Sequence, residues 1–147
     1  MKLIIIRHGD PDYEHDTLTE KGVREAKLLS KRISKLDVKA FYCSPLGRAQ
    51  DTASYTLEKM NRSAETLPWL CEFEGKILDG LKLVQCWDRL PSQWTKYPEH
   101  YDYNSWYNSK IMKHSNVKKK YKEVCNGLDE LLKKHGYEHQ GNIFKVN

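Results

Sequence analysis

An arginine that could bind an anion and a histidine that could act as a nucleophile stand side by side near the start of the chain. Arg7, His8 and Gly9 directly follow the aliphatic run from Leu3 to Ile6. Three consecutive isoleucines predict a strand that is covered on both faces, as in parallel α/β sheets. Such sheets bind ligands beyond the carboxyl ends of their strands, and a glycine there lets the backbone turn sharply. We therefore expect a ligand site at this strand end.

A second arginine follows another predicted strand, from Lys39 to Cys43. Ser44 is a favourable N-cap and Pro45 is favoured as the first helical residue, so a helix is predicted from there to about Met60. Arg48 would then lie in the first turn, beside free backbone N–H groups and the positive end of the helix dipole. Because a phosphoryl group suits planar, bidentate arginine donors, the two strand ends predict a phosphate site.

Apolar residues at three- and four-residue steps predict two further helices. The first begins after the N-cap Thr19, runs to about Leu36 and completes a right-handed βαβ unit. The second is closed by Gly136, which makes His135 a cation at a helix C-terminus. The segment from Gly141 to Val146 then predicts one more strand or hairpin.

Three ordered motifs carry a family resemblance. They are IRHGDP from Ile6, LTEKG from Leu18 and SPLGRA from Ser44, and they span most of the first half of the chain. In this order and at this spacing they resemble the histidine phosphatase superfamily. The resemblance implies a three-layer α/β/α phosphoglycerate mutase-like fold with a mainly parallel sheet.

The resemblance also implies roles for individual residues. His8 would be a catalytic nucleophile that is transiently phosphorylated, and Arg7, Gly9 and Arg48 would bind the phosphoryl oxygens. Neutral imidazole is a competent nucleophile near neutral pH, and its phosphoramidate divides one displacement into two easier ones. Two arginines neutralise oxygen charge without a metal, so neither a metal site nor a cofactor is expected.

The family's acid lies in a segment that resembles Leu70 to Gly75. Glu72 fits the acid best, and Glu74 is the alternative because the alignment can slip by two residues. The family also has a second catalytic histidine in a strand that ends in His-Gly, whereas His135 here is predicted to end a helix. The resemblance therefore implies a single partial domain over 1–147, incomplete at the C-terminus, that would self-associate through an exposed sheet edge.

The main functional hypothesis is hydrolysis of the phosphate monoester of a small phosphorylated metabolite through phospho-His8. Phosphoglycerate mutase activity is one alternative, although Asp10 to Tyr13 departs from the sequence usual in such mutases. A fragment that binds phosphate without turnover is the other. No residue identifies the ester itself.

A cap insertion is expected around 85–110, where seven tryptophans and tyrosines cluster between Trp87 and Tyr107. The cap would bind the organic part of the ester or pack upon itself. Its acidic residues and the modest net charge of +5 argue against a nucleic-acid partner.

The four cysteines form no C-x-x-C pair and no metal-ligand spacing with the histidines. The apolar run before Arg7 is too short for a signal peptide, and no segment approaches the length of a membrane-spanning helix. We therefore expect a cytoplasmic protein with no membrane partner.

Overall fold

The computed structural model describes residues 1–146, and the chain forms two compact units. The first runs from Met1 to Cys71 and the second begins at Glu72. The single partial domain with a cap over 85–110 stays a prediction. In the part of the chain that the structure describes, no helix is both long enough and apolar enough to cross a membrane.

The first unit contains two α-helices, four two-residue strands and a short 3-10 helix at Pro68–Leu70. In chain order the strands and α-helices are β1 (Pro11–Asp12), β2 (Thr17–Leu18), α1 (Glu20–Ile33), β3 (Tyr42–Cys43), α2 (Gly47–Met60) and β4 (Glu65–Thr66). Strands β1 and β2 form an antiparallel hairpin, β3 pairs in parallel with β4 across α2, and α1 packs against α2. The unit therefore places the two helices beside the loop that follows His8.

Helix α1 begins where the sequence predicts it, because the Thr19 hydroxyl accepts a hydrogen bond from the Gly22 N–H at 3.1 Å. Helix α2 ends at Met60, as predicted, but begins at Gly47 instead of Pro45. The reason is local: the Ser44 hydroxyl accepts from the Leu46 N–H at 3.3 Å, which holds the intervening residues in a turn before the helix. Arg48 still lies in the first turn.

The prediction that Leu3 to Ile6 form a doubly buried strand is wrong. The segment has no strand assignment, and Ile5 is 86% exposed. No strand among residues 1–146 pairs with it, so neither its backbone nor its side chains gain the cover that the sequence implied. Among these residues β3 and β4 are the one parallel pair, and the mainly parallel three-layer sheet stays a prediction.

The second unit combines two hairpins with one long helix. Its regular elements are β5 (Lys76–Asp79), β6 (Lys82–Gln85), α3 (Pro91–Trp94), α4 (Val117–Lys134), β7 (Tyr137–Gln140) and β8 (Ile143–Val146). Gly136, at φ +83°, follows the C-cap His135 and ends α4 before the β7–β8 hairpin. These observations confirm the predicted helix end and terminal hairpin.

The centre of the second unit is apolar. Its fully buried residues are Ile77, Cys86, Met112 and Val117. Trp94, Trp106 and Tyr107, all from the aromatic block, pack against this cluster, whereas Tyr101 and Tyr103 of the same block are exposed. At least three of the aromatic side chains therefore stabilise their own unit.

Candidate active site

His8 is half-buried in the first unit, and a local hydrogen bond fixes its tautomer. Its Nδ1 lies 2.8 Å from the carbonyl oxygen of Gly9. Because a carbonyl oxygen only accepts, Nδ1 carries the proton and donates it to this contact. In the neutral ring the lone pair is then on Nε2, the nitrogen available for nucleophilic attack.

A buried hydroxyl connects the loop after His8 to helix α2. The backbone N–H of Gly9 donates to Thr52 Oγ1 at 3.0 Å, and the Thr52 hydroxyl donates to the Arg48 carbonyl at 2.7 Å. Thr52 is 5% exposed; its hydrogen bond to the Arg48 carbonyl is buried, and the one from Gly9 is partly buried. Thr52 thereby couples the histidine loop to the first turn of the helix that carries Arg48.

Arg48 is almost buried and contacts a carboxylate. Its guanidinium donates from Nη1 to Asp16 Oδ1 at 2.7 Å, with side-chain exposures of 9% for Arg48 and 42% for Asp16. The other carboxylate oxygen accepts from the Gly47 N–H at 2.7 Å, at the N-terminus of α2. The Gly47 hydrogen bond, followed by those from Arg48, lowers the pKa of Asp16 below its ordinary value.

Tyr13 lies beside both basic side chains. The Arg48 guanidinium carbon is 5.2 Å from the centre of the Tyr13 ring, within the range of a cation–π contact. The ring centres of Tyr13 and His8 are 6.4 Å apart and nearly perpendicular. The structure thus brings His8, Tyr13 and Arg48 into one cluster.

The loop between His8 and α1 is anchored at its base. The Thr19 hydroxyl donates to Asp10 Oδ2 at 2.7 Å, and the Lys21 ammonium lies 3.3 Å from Asp10 Oδ1. These hydrogen bonds, that of Thr19 first, lower the pKa of Asp10. The Asp10 N–H in turn donates to Glu25 at 2.8 Å, so the loop is held against the N-terminal half of α1.

The roles of the remaining predicted residues, Arg7, Glu72 and Glu74, are not tested by these contacts. Arg7 is exposed and makes no hydrogen bond or ion pair with any other residue in the described range 1–146. Glu72 and Glu74 are both exposed and belong to the second unit. Which of the two glutamates acts as the acid therefore stays a prediction, as does the phosphate-binding role of Arg7.

Neither the motifs nor their spacing assign a role to Tyr13 or Thr52, and the sequence places Asp16 only in the polar loop that follows the histidine motif. Thr52 lies one helical turn after Arg48, so its position on the same side of α2 could have been read from the spacing. The partnership of Asp16 with Gly47 and Arg48 spans about thirty residues of sequence, and no local pattern reveals it.

The cluster provides a tautomer-fixed imidazole next to a guanidinium and a helix N-terminus. Such a set of groups has the chemistry to bind an oxyanion and to present a nucleophile to it. Across the described 146 residues, no three His, Cys, Asp or Glu side chains group in a way that could hold a metal ion.

Curated relatives align with between about two fifths and nine tenths of the chain. A 2,3-bisphosphoglycerate-dependent phosphoglycerate mutase of Thermoplasma acidophilum is 36% identical over 73 residues, covering 43% of this chain and 36% of that protein. Phosphoserine phosphatase 1 of Hydrogenobacter thermophilus is 22% identical over 147 aligned residues, covering 92% of this chain and 66% of that protein. The chain spans less than two thirds of the length of these relatives.

Among solved structures, the alpha-ribazole phosphatase of Shigella flexneri aligns with a TM-score of 0.48 at 20% sequence identity, covering 87% of this chain and 67% of that one. The profile of the histidine phosphatase superfamily (branch 1) matches residues 3–142, nearly the whole sequence. The chain therefore belongs to the histidine phosphatase superfamily, as its motifs predicted.

Proposed function

We propose that the chain hydrolyses phosphate monoesters through a phosphohistidine on His8. The observation that carries this proposal is the fixed tautomer of His8, whose Nδ1–H···O=C bond to Gly9 leaves Nε2 as the attacking nitrogen. Arg48 and the N-terminus of α2 lie in the same cluster, where they would bind the phosphoryl oxygens. Relatives named as phosphatases support the hydrolytic assignment.

In the first step, the Nε2 lone pair of His8 attacks phosphorus and forms a P–N bond while the P–O bond to the alcohol breaks. The electrons of that bond go to the leaving oxygen, which needs a proton. Glu72, or Glu74 in its place, would donate that proton from its carboxylic acid. Arg7 and Arg48 would neutralise the charge on the phosphoryl oxygens as the transition state forms.

In the second step, water attacks phosphorus and the P–N bond breaks. The same glutamate, now a carboxylate, would take the proton from that water, and His8 recovers its lone pair. The products are inorganic phosphate and the free imidazole. The substrate class that this chemistry requires is a small phosphate monoester whose leaving group is an alcohol or a phenol.

Mutase activity is the second candidate, because the relative that is 36% identical over 73 residues is a phosphoglycerate mutase. The chemistry of the first step is shared, and only the acceptor of the phosphoryl group differs. Isomerisation of 3-phosphoglycerate that outpaces its hydrolysis would establish the mutase assignment, whereas release of inorganic phosphate alone would exclude it.

The test of the proposed function is hydrolysis of an aryl phosphate by the purified chain and by His8→Ala in a metal chelator. We expect activity in the unaltered protein and none above background in the variant. Hydrolysis that persists in a folded His8→Ala protein would refute the assignment. Phosphate binding without turnover in the unaltered protein would instead identify a binding protein.

A further inference from the structure

The anion site of the first unit already contains an anion, the carboxylate of Asp16. One of its oxygens accepts from the Gly47 N–H and the other from the Arg48 guanidinium, both at 2.7 Å. The backbone N–H of Arg48 also lies 3.5 Å from Oδ1, the carboxylate oxygen that the guanidinium contacts. A planar carboxylate thus occupies both donor types, backbone N–H and guanidinium, that a phosphoryl group would use.

The backbone around Asp16 is shaped to reach these donors. Asp16 has a φ of +48°, a left-handed conformation that residues with side chains rarely adopt. Its carbonyl oxygen approaches α2 so closely that a Cβ on Gly47 would lie 2.2 Å from it. The next residue, Thr17, donates its hydroxyl to the Asp51 carboxylate on α2. The hairpin therefore contacts α2 both at Asp16 and at Thr17, the residue that follows it.

Charge and exposure decide what this contact does to an incoming ligand. The Arg48 side chain is 9% exposed, whereas the carboxylate that binds it is 42% exposed. A phosphoryl oxygen that approaches the Arg48 guanidinium meets a negative charge already bound to its Nη1 atom. Two anions on one guanidinium repel each other, so the ligand must displace the carboxylate or bind more weakly beside it.

We propose that Asp16 is an internal competitor for the phosphate site, whose carboxylate must leave Arg48 and the α2 N-terminus before a phosphoryl group binds. The inference rests on the proposed function only in that it takes a phosphoryl group as the ligand. Only a ligand that binds these donors more strongly than the Asp16 carboxylate displaces it. A dianionic phosphate monoester does so more readily than a singly charged carboxylate metabolite.

A positioning role for Asp16 would have the opposite consequence. If the carboxylate served to hold the guanidinium in its binding geometry, removing its charge would loosen Arg48 and weaken phosphate binding. If it competes, removing the charge strengthens binding. The sign of the change in phosphate affinity therefore separates the two roles.

The experiment measures the dissociation constant of inorganic phosphate by calorimetry for the full chain, Asp16→Asn and Glu14→Gln. Glu14→Gln is the matched control because it removes the same charge from an exposed side chain of the same loop. We expect Asp16→Asn to bind phosphate on the order of tenfold more tightly, and Glu14→Gln to match the unaltered chain within about twofold. Equal or weaker binding by a folded Asp16→Asn protein would overturn the inference.

A second measurement needs no variant at Asp16. During a phosphate titration of the unaltered chain, the side-chain carboxyl ¹³C resonance of Asp16 and the Gly47 amide resonance should move together, while the carboxyl resonance of Glu14 stays in place. An Asp16 resonance that is unchanged at saturating phosphate would contradict displacement, whatever the folding of the Asp16→Asn protein.

Failure of this inference is distinguishable from failure of the proposed function. Tighter phosphate binding by Asp16→Asn without any turnover would refute the phosphatase and leave the competitor in place. Turnover that depends on His8, together with an unchanged affinity in Asp16→Asn, would refute the competitor alone. Absence of phosphate binding in both proteins would contradict the competitor and the phosphate site alike.

Discussion

The two compact units differ in what they bury. Among the described residues, the buried side chains of the first unit include a group of polar ones: Ser30, Arg48, Thr52 and Thr56. The centre of the second unit is a cluster of residues at most 2% exposed: Ile77, Cys86, Met112 and Val117. The first unit therefore places hydrogen-bonding groups in its interior, and one of them, Thr52, links the His8 loop to Arg48. The second is stabilised mainly by apolar contact.

Replacement of Arg48 is expected to have the largest effect of any change in the polar interior of the first unit. Replacing it with alanine should lower kcat for an aryl phosphate roughly 10²- to 10³-fold, because a charge-assisted contact to the transition state is lost. The control is Arg32→Ala, which removes an exposed arginine from the same unit and should leave kcat unchanged. Steady-state kinetics of the two variants would settle the point, and equal losses would mean that Arg48 has no special role.

The second unit should respond to loss of apolar volume. Ile77 is fully buried, whereas its neighbour Leu78 on the same strand is 64% exposed. Ile77→Ala should lower the free energy of unfolding by about 2–5 kcal/mol, and Leu78→Ala by no more than about 0.5 kcal/mol. Urea denaturation gives both values. Similar losses at the two positions would show that the β5–β6 hairpin is not packed as described.

The first unit should instead respond to loss of a single hydroxyl. Thr52→Val keeps the side-chain shape but leaves the Gly9 N–H without its partner, which should cost about 1–3 kcal/mol of unfolding free energy. Thr52→Ser keeps the hydroxyl and should cost less. Phosphate affinity should fall in the valine variant only, because the link between the His8 loop and Arg48 is broken. If serine and valine behave alike, the hydrogen bonds through Thr52 contribute nothing.

The smallest expected effect is on pH dependence. The folded-state pKa of Asp16 lies below its ordinary value of about 3.8 because the Gly47 N–H and Arg48 bind the carboxylate. The stability that Asp16 contributes is therefore fully present above the unfolded-state pKa and is lost as the pH falls through the folded-state pKa. Thermal melting of Asp16→Asn should consequently show a shallower decline in Tm below about pH 4. An identical decline would mean that the carboxylate gains nothing from these contacts.

Much of the helical structure could be predicted from local patterns. Thr19 caps α1 and Gly136 follows the end of α4, and both signals depend on residues within one turn of the helix end. The two-residue turn of the β5–β6 hairpin, Gly80 and Leu81, is a local signal of the same kind, because Gly80 adopts the positive φ of +64° that glycine favours. The strand predicted from Leu3 to Ile6 is not formed, because strand pairing depends on partners elsewhere in the chain, which a local pattern does not show.

Residues of the candidate site that belong to sequence motifs could be predicted, whereas residues that join it through tertiary contacts could not. His8 and Arg48 follow from their motifs, and the structure places both beside Tyr13. The carboxylate of Asp16 could be identified as charged, but its position on Arg48 depends on how the hairpin meets α2. Contacts of this kind arise from packing between distant segments, which residue types and spacing do not encode locally.

The central claim is that His8 carries the phosphoryl group during turnover. The most direct measurement is intact-protein mass spectrometry after brief reaction with an aryl phosphate and an alkaline quench, followed by peptide mapping. We expect one added phosphoryl group, labile to acid, on His8, and none in His8→Ala. A phosphoryl group on any other residue, or turnover with rapid quenching but no phosphorylated intermediate, would contradict it.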